Sequence, residues 1–154
     1  MRRPTVWTLA AIALLGGMQL VPIERSNPRV ELEVPAPPEV HEILRRSCYD
    51  CHSNETRWPW YSRVAPVSWL VAYDVREARH HLNFSTWDRY GEEKRRDHIR
   101  EVWEEVESDE MPLWIYLPLH PDARLSARDR ETIRLWATQA GAREGAGEHR
   151  HDHD

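Results

Sequence analysis

The only two cysteines of this chain are separated by two residues, and a histidine follows the second one directly. The segment reads Cys48-Tyr49-Asp50-Cys51-His52, and we call it the cysteine–histidine motif. The pattern C-x-x-C-H is the attachment signature of a c-type haem. Its spacing suits that chemistry because one tight turn carries two thiols for the two haem vinyl groups and an imidazole for the iron. The motif therefore predicts thioether bonds at Cys48 and Cys51, with His52 as the proximal iron ligand.

A histidine that binds a metal usually donates its second ring N–H to a carboxylate, a backbone carbonyl or water, which fixes the orientation of the ring. We therefore expect the second ring nitrogen of His52 to donate to a backbone carbonyl. The sequence does not identify that carbonyl.

Three other uses of a C-x-x-C pair are less consistent with this chain. A redox dithiol of the thioredoxin type lies between a strand and a helix, and no β-rich run precedes Cys48. A structural zinc site needs four ligands, commonly with further cysteines, and the sequence has no third cysteine. A disulfide across so short a loop would be strained and would restrict the unfolded chain very little.

The N-terminus combines positive charge with an apolar run. Arg2 and Arg3 precede a run from Thr5 to Ile23, interrupted mainly by two glycines and a glutamine. Arginines before an apolar run keep the N-terminus in the cytoplasm and direct the rest of the chain across the membrane. Residues 1–23 are therefore predicted to be an uncleaved transmembrane anchor, with a removed signal peptide as the alternative. Both place the haem domain in the bacterial periplasm, on the outer side of the cytoplasmic membrane, where covalent haem attachment takes place.

The remaining chain divides into three parts. Residues 24–38 are rich in proline and read as an extended linker. Residues 39–140 carry the motif and the helical patterns, and are the predicted haem-binding domain. Residues 141–154 lack apolar periodicity and are expected to be a disordered tail. Its histidines 149, 151 and 153 could bind a divalent metal weakly, although a solvated tail is the favoured interpretation.

The apolar spacing within residues 39–140 predicts helices and no sheet. A helix from Glu39 to Ser47, with Pro38 in its first turn, leads into the motif. Further helices are predicted from Val67 to about Leu82, from just after Gly91 to about Ser108, and from an N-cap at Ser126 to about Gly141. The fold class is therefore an all-α, cytochrome c-like domain packed around one covalent haem. The apolar positions expected to face the core are Val40, Ile43 and Leu44; Trp69, Leu70, Tyr73 and Ala78; Ile99, Val102, Trp103 and Val106; and Ile133, Leu135, Trp136 and Ala137.

Two loops supply the remaining candidate ligands. Residues 109–121 contain Met111, the only methionine outside the N-terminal segment, and prolines 112, 118 and 121 restrict the backbone around it. Met111 is the predicted sixth iron ligand. The alternatives are a methionine that fills a gap in the core, and His120 as the ligand. His80, His81 and His98 are weaker candidates.

The loop from Ser53 to Ser62 is polar and then aromatic, and Pro59 interrupts it. It is predicted to wrap the haem edge, with Trp58 and Tyr61 among the cofactor-binding residues. The haem propionates could also find charge partners or hydrogen-bond donors in Arg57, Trp60 and Arg63. A small aromatic cluster beneath a long loop is an equally good interpretation.

Composition gives weaker indications. The formal net charge of −5 disfavours a nucleic-acid partner. The sequence contains eight Trp and five Tyr but one Phe. Such large rings could pack against a large flat apolar cofactor, although they could equally fill a small core.

Several segments together resemble the bacterial haem-binding domain family of cytochrome c-like proteins, over roughly residues 40–137. The resemblance implies a membrane-anchored, exported domain with a single haem, and a Met-Pro step at residues 111–112. The matching segments are the cysteine–histidine motif, 58–62, 65–69, 83–85, 111–112, 120–121, 125–126 and Trp136.

The expected function is one-electron transfer by the covalent haem, with no enzymatic activity. A peroxidase-like haem enzyme, or a haem-based redox or gas sensor, is the alternative, and each requires an open or displaceable sixth position on the iron. A redox partner protein is implied but not identified.

Overall fold

The computed structural model describes the backbone of residues 3–148 and the side chains of residues 4–140. Within these residues the only β-type pairing is an isolated bridge between Leu32 and Thr86. The all-α part of the predicted fold class is therefore confirmed. The helices are α1 (Arg3–Met18), α2 (Pro38–Ser47), α3 (Tyr49–His52), α4 (Val67–His81), α5 (Glu92–Glu107) and α6 (Ala127–Glu148), with short 3₁₀ turns at Trp60–Arg63, Trp87–Arg89 and Pro121–Ala123.

The N-terminal helix is shorter than the apolar run from which we predicted an anchor. α1 covers 16 residues, about 24 Å at 1.5 Å per residue, whereas the hydrocarbon core of a bilayer is about 30 Å thick. Across residues 3–148, no helix combines the length and the apolar character needed to cross a membrane. The predicted transmembrane segment, and with it the predicted localisation at the cytoplasmic membrane, are therefore wrong. The apolar run extends to Ile23, but the helix ends at Met18, and the side-chain amide of Gln19 pairs with the backbone of Ala65.

α2 forms as its sequence predicts. Pro38 occupies its first turn, where the missing N–H has no intrahelical partner to lose. Val40, Ile43 and Leu44 lie on one face, and all three are buried. This helix leads directly into the motif.

The core lies where α2, α5 and α6 meet the segment that comes after α4. Apolar positions of α5 pack there with Ile133 and Trp136 of α6, as predicted, whereas Leu135, which was also expected to face the core, is 44% exposed. Phe84 and Trp87 contribute large rings from the segment after α4. The buried apolar residues are Val34, Val40, Ile43, Leu44, Tyr49, Leu82, Phe84, Trp87, Ile99, Val102, Val106, Ile133 and Trp136.

The orientation of α4 differs from the prediction. Trp69, Leu70 and Tyr73 are exposed, whereas Ser68 and Val75 are buried. Helical spacing shows that residues share a face but does not show which face a neighbour covers. Here α4 packs against α3 and the turn Trp60–Arg63, and this packing buries a face with smaller side chains.

α6 begins with the predicted cap but ends later than predicted. The backbone N–H of Asp129 donates to Ser126 Oγ at 3.1 Å, and the backbone N–H of Ser126 donates to Asp129 Oδ2 at 2.8 Å. This reciprocal pair is a capping box. The helix continues to Glu148 instead of ending near Gly141, where we expected the tail to begin. The histidines at 149, 151 and 153 lie outside the described residues.

The proline-rich segment 24–38 is extended, as predicted, and it packs on the domain. Val34 is 1% exposed. The backbone N–H groups of Glu31 and Val34 donate to the carbonyls of Ser85 and Phe84, at 2.9 and 3.0 Å. This segment therefore belongs to the folded domain.

Replacing Val34 by Ala tests that assignment. Because the side chain is buried, we expect the free energy of unfolding to fall by about 1–3 kcal/mol, measured by urea denaturation. Val64→Ala is the matched control, because Val64 is 45% exposed, and its effect should stay within about 0.5 kcal/mol. Equal effects of the two substitutions would mean that the segment contributes no buried side chain.

Candidate functional site

The cysteine–histidine motif forms one turn of helix at the end of α2. The backbone of Cys48, at φ −125° and ψ −34°, leaves regular helical geometry and separates α2 from α3. Its carbonyl accepts hydrogen bonds from the N–H groups of Cys51 and His52, at 3.1 and 2.9 Å. The turn is closed by these bonds, so two thiols and an imidazole are carried on a single turn.

His52 is bonded on two sides to the segment after α4. Its ring Nδ1 lies 3.1 Å from the carbonyl oxygen of Leu82, and its own carbonyl accepts from the N–H of Phe84 at 2.8 Å. The prediction that His52 donates to a backbone carbonyl is confirmed, and the structure identifies the carbonyl as that of Leu82. Nε2 is thereby left as the ring nitrogen that can bind a metal.

Burial keeps the imidazole of His52 neutral. Removal from water lowers the pKa of His52, and the Leu82 carbonyl opposes that effect only in part. His81 and His98 lower the pKa of His52 slightly further. A neutral imidazole is the form that coordinates metal ions, so His52 can act as a ligand at neutral pH.

Burial also acts on the two thiols, which are not bonded to each other. It raises the pKa of Cys48 to about 12 and that of Cys51 to about 11. Reactive dithiols show the opposite shift, because their chemistry needs the thiolate. In the described part of the chain, no three His, Cys, Asp or Glu side chains are arranged to hold a metal ion. The structure therefore gives no support to the redox-dithiol or zinc alternatives.

Asp50, inside the motif, connects it to two loops. One carboxylate oxygen accepts from the hydroxyl of Tyr116 at 2.7 Å. The other accepts from the backbone N–H of Arg57 at 3.0 Å. Neither Asp50 nor Tyr116 was identified from the sequence, because nothing in the chain pattern pairs residues that are 66 positions apart.

Tyr61 and His120, both singled out in the sequence, lie together beside Tyr116. The hydroxyl of Tyr61 lies 3.4 Å from His120 Nε2, and His120 Nδ1 lies 3.1 Å from the carbonyl oxygen of Tyr116. The rings of Tyr116 and His120 stack at 3.8 Å. Both ring nitrogens of His120 are thus engaged. Asp50, Tyr116 and His120 line one side of a cleft of about 900 Å³.

Trp58 and Met111 are both half-buried. The indole Nε1 of Trp58 is buried and has no hydrogen-bond partner among the described residues. The backbone N–H of Met111 donates to the carbonyl of Glu105 at 3.1 Å. Nothing in the described residues tests Met111 as the sixth ligand, so that role stays a prediction.

The other histidines divide by burial. His80 and His81, at the end of α4, are exposed. His98 on α5 is fully buried, its Nδ1 lies 3.0 Å from Glu101 Oε2, and its ring contacts Tyr90 edge-on at 4.6 Å between centroids. These positions assign His98 to the core.

Comparison with known proteins identifies one family. A family model described as a haem-binding domain matches residues 13–139, which is most of the chain. No match was found among curated proteins or among solved structures.

The residues of the site fit a haem. Two unpaired thiols and a neutral imidazole with its Nδ1 engaged are the donor set that a covalent haem requires. The unpartnered N–H of Trp58 is an additional donor, which a carboxylate such as a haem propionate could satisfy.

The raised thiol pKa values predict slow alkylation of the chain before it takes up any cofactor. A thiol with a pKa near 11 has about 100-fold less thiolate at pH 8 than one near 9.0. We expect iodoacetamide to modify Cys51 at about one-hundredth of the ordinary rate at pH 8, with the rate rising until the pH approaches 11. Mass spectrometry gives the rates, and the same chain in concentrated urea is the control. Rapid modification of the folded chain at pH 8 would contradict the raised pKa of Cys51.

Proposed function

This chain belongs to the haem-binding domain family, and from that membership we propose that it holds one c-type haem covalently and carries single electrons. In this proposal each thiol, of Cys48 and of Cys51, would add across one haem vinyl group: the S–H bond and the vinyl double bond would be used up, the sulfur would form a C–S bond to one vinyl carbon, and the hydrogen would form a C–H bond to the other. Nε2 of His52 would hold the haem iron, since Nδ1 is engaged by the Leu82 carbonyl.

The observation that carries the proposal is the hydrogen bond of His52 Nδ1 to the Leu82 carbonyl, on a turn that also holds both thiols. Here the ring is oriented through Nδ1 while it lies on the same turn as two unpaired thiols, and this combination suits a covalently attached, histidine-ligated haem better than it suits a redox dithiol, a zinc site or a disulfide.

When bound, the haem would supply a ferric–ferrous couple that takes up and releases one electron. The fold would keep His52 neutral and oriented, and it partly buries the two thiols. Such a carrier needs no substrate chemistry of its own, so we propose that the chain is not an enzyme. Its partner would be a protein that donates or accepts one electron, and the net charge of −5 disfavours nucleic acid.

We also propose Met111 as the sixth ligand. Its thioether is neutral and soft, so it favours ferrous iron and raises the reduction potential relative to a second imidazole. The rival ligand His120 has both ring nitrogens engaged by Tyr61 and Tyr116, and coordination through Nε2 would break the bond to Tyr61. That cost favours Met111 over His120.

The covalent attachment is tested by expressing the full chain with a haem-maturation system and measuring its mass after denaturation. We expect the mass of one haem added to the polypeptide, because thioether bonds survive denaturation. Cys48→Ala and Cys51→Ala should each lower the yield of holoprotein, and the double variant should carry no covalent haem. A wild-type chain without added mass would refute the proposal.

The sixth ligand is tested by Met111→Ala in the holoprotein. We expect loss of the weak sulfur-to-iron absorption band at the red end of the ferric spectrum, and binding of carbon monoxide by ferrous iron that the wild type excludes. Met18→Ala is the control, because Met18 lies at the end of α1.

Two results would count against this assignment. If the wild type lacks the sulfur band and His120→Ala opens the iron, then His120 is the ligand. If the wild type itself binds carbon monoxide, the sixth position is open or displaceable, as the enzyme and sensor alternatives require.

A further inference from the structure

Two buried asparagines form a hydrogen bond between the residues that follow the cysteine–histidine motif and the segment after α4, whose Leu82 carbonyl binds His52. Asn54 lies two residues after His52, and Asn83 lies between Leu82 and Phe84. The side-chain Nδ2 of Asn83 donates to Asn54 Oδ1 at 2.8 Å. The two residues are 5% and 7% exposed, so this amide–amide bond is shielded from water.

Both amides are oriented by further hydrogen bonds. Asn54 Nδ2 donates to the carbonyl of Arg29 at 2.9 Å, and the backbone N–H of Asn54 donates to Ser85 Oγ at 3.0 Å. Asn83 Oδ1 accepts from the backbone N–H of Ser85 at 2.9 Å. Since each side chain has its oxygen and nitrogen assigned to different partners, the pair has one favoured arrangement.

The Asn54–Asn83 bond closes a ring with the hydrogen bond of His52. One side of the ring runs along the chain from His52 to Asn54, and the other runs from Leu82 to Asn83. At one end the two sides are joined by the bond from His52 Nδ1 to the Leu82 carbonyl, at 3.1 Å. At the other end they are joined by the Asn54–Asn83 bond. A shift of Asn83 relative to Asn54 therefore moves the carbonyl that the imidazole faces.

We propose that Asn54 and Asn83 are positioning residues that set the direction and strength of the His52 hydrogen bond. A stronger bond from Nδ1 makes the imidazole a more basic ligand, which favours ferric iron. The consequence for the reduction potential rests on the proposed haem function, whereas the hydrogen bond itself can be measured on the chain without haem.

Two charge-matched variants separate positioning from general disruption. In Asn83→Asp, the Asn83 donor is lost and two oxygens face each other, while the acceptor for Ser85 remains. In Asn54→Asp, the acceptor for Asn83 remains and the bond to the Arg29 carbonyl is lost. Each variant adds the same charge and removes one hydrogen bond, but only Asn83→Asp breaks the link between the two asparagines.

The first measurement is hydrogen exchange of the His52 Nδ1–H, monitored by ¹⁵N-histidine NMR on the full chain before haem is added. We expect exchange to be about tenfold faster in Asn83→Asp, because loss of one buried hydrogen bond makes local opening around the His52 Nδ1–H more frequent. Asn54→Asp should stay close to the wild type. Equal acceleration in the two variants, or no acceleration in either, would overturn the positioning role whether or not the chain binds haem.

The second measurement is the reduction potential of the holoproteins. Asn83→Asp should have a higher potential than Asn54→Asp, because the added charge is matched and the weaker Nδ1 bond favours ferrous iron. Equal potentials in two folded holoproteins would overturn the proposed effect on the iron. A wild-type chain that takes up no covalent haem would refute the haem function, and the exchange measurement would still decide the positioning role.

A variant without added charge replaces Asn83→Asp if that variant does not fold. If Asn83→Asp does not fold, as judged by circular dichroism, Asn83→Ser removes the same donor without adding charge and should accelerate exchange in the same way. Asn27→Ala is its control, because Asn27 is exposed and donates to the carbonyl of Thr56 at 2.9 Å, outside the ring. Acceleration in the control equal to that in Asn83→Ser would contradict the proposal.

Discussion

The hydrogen bonds that hold His52 on two sides are the interaction on which the site depends. Leu82 and Phe84 reach the same residue from one short segment, one through a carbonyl and the other through an N–H. A single buried hydrogen bond contributes only about 1 kcal/mol, but an unpaired buried group costs about 1–3 kcal/mol. The segment after α4 therefore cannot move away from the motif without leaving buried groups on both sides unsatisfied. The position of the imidazole is thus built into the fold.

Arg79 extends this attachment to the rest of the domain. Its guanidinium donates to the carbonyls of Ser53 and Ser26 and to Thr56 Oγ1, at 2.7, 2.9 and 2.8 Å. One side chain of α4 thus joins the residue directly after the motif to the extended segment 24–38. Partial burial lowers the pKa of Arg79, yet a guanidinium stays charged in proteins. The charged guanidinium therefore strengthens the hydrogen bonds that link α4, the residues after the motif and the segment 24–38.

The elements predicted correctly are those in which local rules and packing agree. The regular apolar faces of α2 and α5 are buried in the core. The capping box of Ser126 and Asp129 is a local interaction between residues three positions apart. The predictions that failed depended on surroundings. The apolar face of α4 is exposed because its neighbours cover the opposite side, and the apolar run at the N-terminus is longer than the helix within it.

The sequence by itself determined which side chains form the centre of the candidate site, because two thiols and an imidazole at fixed spacing on one turn need no distant residue to be recognised. It also predicted a backbone carbonyl partner for His52, since a histidine that binds a metal has a second ring nitrogen to satisfy. Only the tertiary structure decided which carbonyl that is. Leu82 is 30 residues away along the chain, and any residue can offer a backbone oxygen, so no side-chain pattern marks it. The Asn54–Asn83 pair and the contact of Asp50 with Tyr116 were decided in the same way, by which segments the folded core brings together.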